Sequence, residues 1–203
     1  GRWRVLADRV QAPSGIAFAL ENRVATTRVF PDIFQKMSIR RLAPCFGKFR
    51  KMFQGLNPAV DGLVGILTPG PMNEGYFEHT YIARFLGLML LEGEDLTVQE
   101  GQLMAKPVDG LLPLRVVWRR IDGIYADPLE LKENSRLGTP GLLGAIRKQE
   151  VTVVNALGSG VLESRIWSAF LPELCKVLLH EELKLANLQS FWGGGREFQS
   201  LSL

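Results

Sequence analysis

Short apolar runs that alternate with amphipathic stretches constrain this chain more than any other feature. Val64 to Leu67 is a compact apolar run ended by Thr68-Pro69-Gly70-Pro71, which reads as a buried strand entering a loop. Asn73 can then cap a helix that carries Phe77, Tyr81, Phe85 and Leu88 on one stripe. Leu88 to Leu91, Arg115 to Arg120 and Val151 to Val154 are further strand candidates. Between them lie a hairpin over Leu96 to Pro107, centred on Glu100-Gly101, and a helix over Gly138 to Lys148 introduced by Thr139 and Pro140. Strands alternating with helices imply βαβ units. The expected fold is α/β, an open, mostly parallel, Rossmann-like sheet with helices on both faces and the hairpin at an edge.

The flanks follow the same logic. Trp3 to Leu6 is a short strand candidate, and after the turn at Pro13-Ser14-Gly15 a helix runs from Ala17 to about Phe30, closed by Pro31. A second helix is expected from Ile39 to Leu56, with Arg40, Arg41, Lys48, Arg50 and Lys51 on its solvated side. Gly158-Ser159-Gly160 precedes a helical pattern from Val161 to Leu178, and the tail from 186 to 203 reads as a linker or strap. One α/β domain over residues 1–185 is therefore expected, its strand starting almost at the first residue as in a piece excised from a longer protein.

Composition narrows the function classes. With 24 basic and 21 acidic residues the net charge is +3, too even a balance for the field that nucleic-acid binding requires. No apolar run approaches the ~20 residues of a membrane span, and no signal-peptide architecture opens the chain, so a cytoplasmic protein is the simplest expectation. Cys45 and Cys175 lack the spacing of a zinc site and are expected to be buried free thiols. No residue set suggests a metal site.

In a parallel sheet, ligands bind beyond the carboxyl ends of the strands. Three loops qualify: Gln11 to Gly15, Thr68 to Asn73 and Asn155 to Gly160. The last, with Asn155, Gly158, Ser159 and Gly160, either offers backbone N–H groups to an anion or is merely a tight turn. His79 can point into the same cleft as a donor, or be a structural histidine. Arg119, Arg120, Asp122 and Asp127 either bind an anionic group or lock their loop. No serine–histidine–acid order, Walker loop or dinucleotide fingerprint is present, so the residues assign no catalytic group.

Several strings in order along the chain carry a family likeness. They are Val5-Leu6-Ala7-Asp8-Arg9-Val10-Gln11-Ala12-Pro13-Ser14-Gly15 with Ala19-Leu20-Glu21-Asn22-Arg23, Leu67-Thr68-Pro69-Gly70-Pro71 with Asn73-Glu74, Tyr76-Phe77-Glu78-His79, Arg119-Arg120-Ile121-Asp122, Asp127-Pro128-Leu129, and Asn155-Ala156-Leu157-Gly158-Ser159-Gly160-Val161-Leu162-Glu163-Ser164. Across almost its whole length the chain resembles the circularly permuted ATP-grasp proteins of type 2, related to glutathionylspermidine synthase. The resemblance implies the amino-terminal and pre-ATP-grasp portion of a carboxylate–amine ligase that uses ATP and magnesium to form an acyl phosphate. It places Ser14, Gly15 and Arg23 near the acyl-phosphate end, and Asn73, His79, Arg119, Arg120, Asn155 and Ser159 along the acceptor cleft. The expected partners are the remaining ATP-grasp half of the same protein and a small peptide or amine.

Two departures shape these expectations. Many relatives have Glu and Asn where this chain has Ala7 and Arg9, leaving Asp8 the one carboxylate of that magnesium-binding triplet. The expected nucleotide-binding lysine is also missing, so neither ATP nor magnesium is expected to bind this chain tightly. The alternative reading is a degenerate ATP-grasp scaffold that holds a peptide or partner domain without catalysis.

Overall fold

The computed structural model describes residues 3–194. In chain order it contains α1 (Ile16–Val29), α2 (Pro31–Lys36), α3 (Ala43–Gly55), β1 (Leu63–Leu67), α4 (Tyr76–Leu86), β2 (Met89–Leu91), β3 (Leu96–Gln99), β4 (Gln102–Ala105), β5 (Leu112–Arg119), α5 (Leu142–Arg147), β6 (Thr152–Val154) and α6 (Trp167–Leu179). The chain divides into two compact units, one over Gln11–Leu157 and one combining the first ten residues with those from Gly158 onward.

The larger unit is α/β, built on a mixed six-stranded sheet in the order β2-β1-β5-β4-β3, with β6 also pairing β5. β1 pairs β2 and β5 in parallel, and β5 pairs β6 in parallel. The predicted hairpin is β3–β4, an antiparallel pair at one edge, and its turn residues Glu100 and Gly101 both take positive φ, as a two-residue hairpin turn requires. β5 serves two partners on one side because of its length: its start pairs with β4 through Leu112 and Pro113, and its end with β6 through Val116, Val117 and Trp118.

Each face of this sheet is covered by helices. Ile66, Val116 and Trp118 pack with Ala17 and Leu20 of α1, Phe46 and Phe53 of α3, and Ile82, Ala83 and Leu86 of α4. Leu67, Leu91, Val117 and Val153 pack on the other side with Leu142 and Ala145 of α5. The strands are apolar runs because both faces are buried, as parallel strands between helices must be.

Some expectations shift. The candidate strand at Trp3 to Leu6 reduces to a single parallel bridge between Val5 and Asn187 in the smaller unit, while Trp3 and Leu6 are exposed. One bridge cannot sustain a strand, which needs a ladder of partners. The thiols are not buried: Cys45 is exposed and Cys175 intermediate. Cys45 lies one position off the inward stripe of α3 formed by Phe46, Phe49 and Phe53. The pattern after Gly158 begins as a 3-10 turn over Ser159–Glu163 before α6. The last part of the expected strap, residues 195–203, lies outside the described residues.

Candidate functional site

Chain segments beyond the carboxyl ends of β1 and β5 enclose a cavity of about 500 Å³ in the larger unit. From β1 come Pro69 and then Asn73, from β5 come Arg120 and Asp122, and His79 arrives on the first turn of α4. Ser14 closes the side nearest α1. The loops after β1 and β5 meet because both leave the same end of a parallel sheet, and the turn before α1 joins them through Glu78 and Arg120.

Among the described residues, Arg120 is the one cation of a lining that also carries the carboxylates of Glu74 and Asp122. It is 4% exposed, and its Nη2 donates to the Pro13 carbonyl and stands 3.8 Å from the Glu78 carboxylate. Its Nε and Nη1 are buried with no hydrogen-bond partner. Burial pulls its pKa below the ordinary arginine value and Glu78 opposes the shift. Two unmatched donors on a buried cation are costly, because native structures pair nearly all such groups.

Glu78, fully buried, explains part of the arrangement. Its carboxylate accepts the Gly15 N–H at 2.8 and 2.9 Å and the Ala17 N–H at 3.0 Å. The first turn of α1 has no acidic residue and no side-chain cap, so Glu78, 61 positions beyond Ala17, supplies the acceptor its free amides need. Gly15 takes φ 114° at that cap, a conformation that favours glycine. Its N–H is therefore committed to Glu78.

His79 is 3% exposed, and its Nδ1 lies 2.8 Å from Thr68 Oγ1, which also accepts the Gly70 N–H. The Thr68 hydroxyl, with one proton and a second lone pair, can serve either ring tautomer at Nδ1. Burial, then the charge of Arg120, lowers the pKa of His79 to about 4. At neutral pH the ring is thus uncharged; a base this weak is poorly matched to proton abstraction.

The remaining candidates separate. Arg119 points to the opposite face of β5, where Nε, Nη1 and Nη2 donate to the carbonyls of Asn155, Ile121 and Ala156 at 2.8, 2.7 and 3.2 Å. It holds the backbone leaving β6. Asn155 borders a second, apolar cavity. Arg23 donates to the Arg40 carbonyl at 2.9 Å and stacks over Phe34, away from the Arg120 cavity. Asn73 lines the cavity and accepts the Gly75 N–H at 2.8 Å, so α4 starts after Gly75, further along than a helix capped by Asn73 itself. Gly158, Ser159 and Gly160 belong to the smaller unit, where Ser159 donates to the Val10 carbonyl at 3.4 Å. Asp127, also fully buried, accepts the N–H groups of Leu129, Gly141 and Leu143 and locks its loop.

Sequence reasoning missed Glu78 as the partner of α1, and Tyr125 and Leu137 as cavity walls. The uncapped start of α1 was the available signal for an acceptor elsewhere. Tyr125 and Leu137 carry no local signal.

The sequence model of the family described as circularly permuted ATP-grasp type 2 matches residues 1–200. The chain belongs to that family. This circularly permuted ATP-grasp protein is 37% identical over 193 residues to an uncharacterized protein of Synechocystis sp., covering 94% of this chain and 40% of the relative. It is 39% identical over 196 residues to an uncharacterized protein of Mycobacterium tuberculosis, covering 96% of this chain and 22% of the relative. A second protein of that organism is 34% identical over 192 residues, covering 94% and 35%. The chain therefore spans less than half the length of these relatives.

ATP-grasp proteins generally use ATP and magnesium. Among the described residues no group of three or more His, Cys, Asp or Glu side chains could hold a metal ion, and Asp8 is exposed between Ala7 and Arg9. These residues do not fit a magnesium ion. No helix of the described residues is long and apolar enough to cross a membrane.

Proposed function

We propose that this chain forms the carboxylate-binding side of an ATP-dependent carboxylate–amine ligase. The observation that carries the reading is Arg120: a buried guanidinium lining the cavity with Nε and Nη1 unmatched. A carboxylate or acyl phosphate entering the cavity brings acceptors for the donors that Pro13 and Glu78 leave unmatched, and charge-assisted hydrogen bonds of this kind are the strong ones. Neutral His79 adds a polar ring without adding charge, and Ser14 and Asn73 supply polar rim groups. In such a ligase the carboxylate becomes an acyl phosphate, and an amine then displaces phosphate to give an amide. The nucleotide, its magnesium and the amine are assigned to other parts of the full-length protein, and the acceptor to a small peptide or amine.

The test is ADP release by the full-length protein with panels of carboxylates and amines. Arg120→Met should raise the KM for the carboxylate at least about tenfold, the loss of a charged hydrogen bond being worth roughly 1.5–3 kcal/mol, with Arg120→Lys intermediate. A carboxylate KM unchanged in Arg120→Met would sink the reading. A second reading, a non-catalytic scaffold binding a peptide or partner domain, draws on Ala7 and Arg9 flanking Asp8. Absence of ADP release with every acid and amine pair, alongside retained peptide binding, would favour it.

A further inference from the structure

The carboxylate reading leaves a second cavity of the same unit unused. It has a volume of about 320 Å³, and its walls include Ile16 of α1, Phe49, Met52 and Phe53 of α3 and Trp118 of β5, with Ser14 on its border. Phe49 stacks on Trp118 with ring centroids 6.1 Å apart and planes within 13°, and Phe53 meets the same indole at 5.1 Å. Its walls are mainly apolar and it opens to the surface, so it is a pocket a ligand can enter and not a closed void. An apolar cavity of about 150 Å³ already accepts benzene. This one has room for a phenyl, an indole or a branched alkyl group.

The two cavities adjoin. Ser14 lines both, and the Arg120 guanidinium stands over the Trp118 ring with Cζ 5.3 Å from its centroid. One residue, Trp118, is thus a wall of the apolar space and a neighbour of the cation. We propose that the substrate is a carboxylic acid bearing an aromatic or large apolar group, which occupies this cavity while its acid meets Arg120. The inference rests on the carboxylate reading of the first cavity and adds the class of acid. A polyamine chain finds no carboxylate among these walls to pair with.

The experiment is a nuclear magnetic resonance titration of the whole chain with 3-phenylpropionate, propionate and 3-phenylpropanol, following the Trp118 indole N–H. The acid with the ring should bind at least about tenfold more tightly than propionate and shift the Trp118 signal. Met52, 44% exposed at the cavity wall, can be enlarged without entering the core. Met52→Trp should abolish the preference and leave propionate binding intact, with Met52→Phe as the smaller filler if the first variant does not fold. Equal affinities for the two acids, or a preference that survives the filled cavity, would overturn the proposal. The two readings fail separately. If 3-phenylpropanol shifts Trp118 and is blocked by Met52→Trp while propionate shows no dependence on Arg120, the apolar site stands and the carboxylate reading falls. If propionate binds through Arg120 and the ring adds nothing, the reverse holds.

Discussion

Glu78 and Arg120 depend on each other unequally. Glu78 satisfies the start of α1 through the amides of Gly15 and Ala17 and partly neutralises Arg120, so its loss strands the buried N–H of Ala17, the part-buried N–H of Gly15 and a buried cation together. Removing one partner of a buried charged pair costs about 3–5 kcal/mol, and Glu78→Ala should lose that much in urea denaturation. Arg120→Met should cost far less, since it also removes two unmatched donors and leaves Glu78 its backbone bonds. Equal losses in the two variants would contradict this account. His79 makes a second residue-level prediction. Its folded pKa of about 4 lies below the ordinary value of 6.5, so the neutral ring contributes stability above pH 6.5 that is lost as pH falls toward 4. The span corresponds to at most about 3 kcal/mol. Unfolding free energies of the native chain and His79→Asn should converge across that window, carboxylates common to both cancelling in the difference; parallel curves would show that His79 does not report its burial.

At the scale of elements, the strands of the larger unit and the start of α1 were legible, whereas the starts of α3 and α5 were not. A parallel strand covered on both faces must be a run of apolar residues, and Val64 to Leu67 or Val151 to Val154 show it without context. Helix boundaries depend on caps, and here the caps come from far away. The start of α5 was expected at Thr139 and Pro140, but Asp127 binds the amides of Gly141 and Leu143 and fixes the helix from Leu142. The loop between them is also held at Gly138, where a Cβ would stand 2.2 Å from the carbonyl oxygens of Tyr125 and Ala126. No side chain fits that approach. Asp127→Ala should cost about 1–3 kcal/mol for stranded buried donors, and Gly138→Ala at least a similar amount because backbone must move. Thermal melts that match the native chain for both would show that this loop is not fixed by these contacts.

For the whole molecule, His79 and Arg120 come together because the loops after β1 and β5 leave one sheet end, with Ser14 joining from the turn before α1, whereas adjacent Arg119 and Arg120 part company. Alternation along a strand sends neighbours to opposite faces, but which of two arginines faces the cleft depends on register, and the register of β5 slips between Leu63 and Val64 of its partner. That irregularity has no sequence signature, so the pair could not be divided in advance. The division sets up a measurable linkage. If Arg120 carries unmatched donors in the folded state and has none to spare when unfolded in water, a carboxylate that binds it stabilises only the folded chain. At a concentration about 100 times Kd such a ligand adds roughly 2.7 kcal/mol, and for domains of about 150–250 residues each kcal/mol moves Tm by about 2–4 °C. Propionate titrated against chloride at equal ionic strength should therefore raise Tm by several degrees in the native chain and leave Arg120→Met unmoved, while Arg119→Lys, altered on the opposite face, should start lower but respond fully. A rise of equal size in Arg120→Met would assign the effect to general salt action and deprive the cavity of its anion.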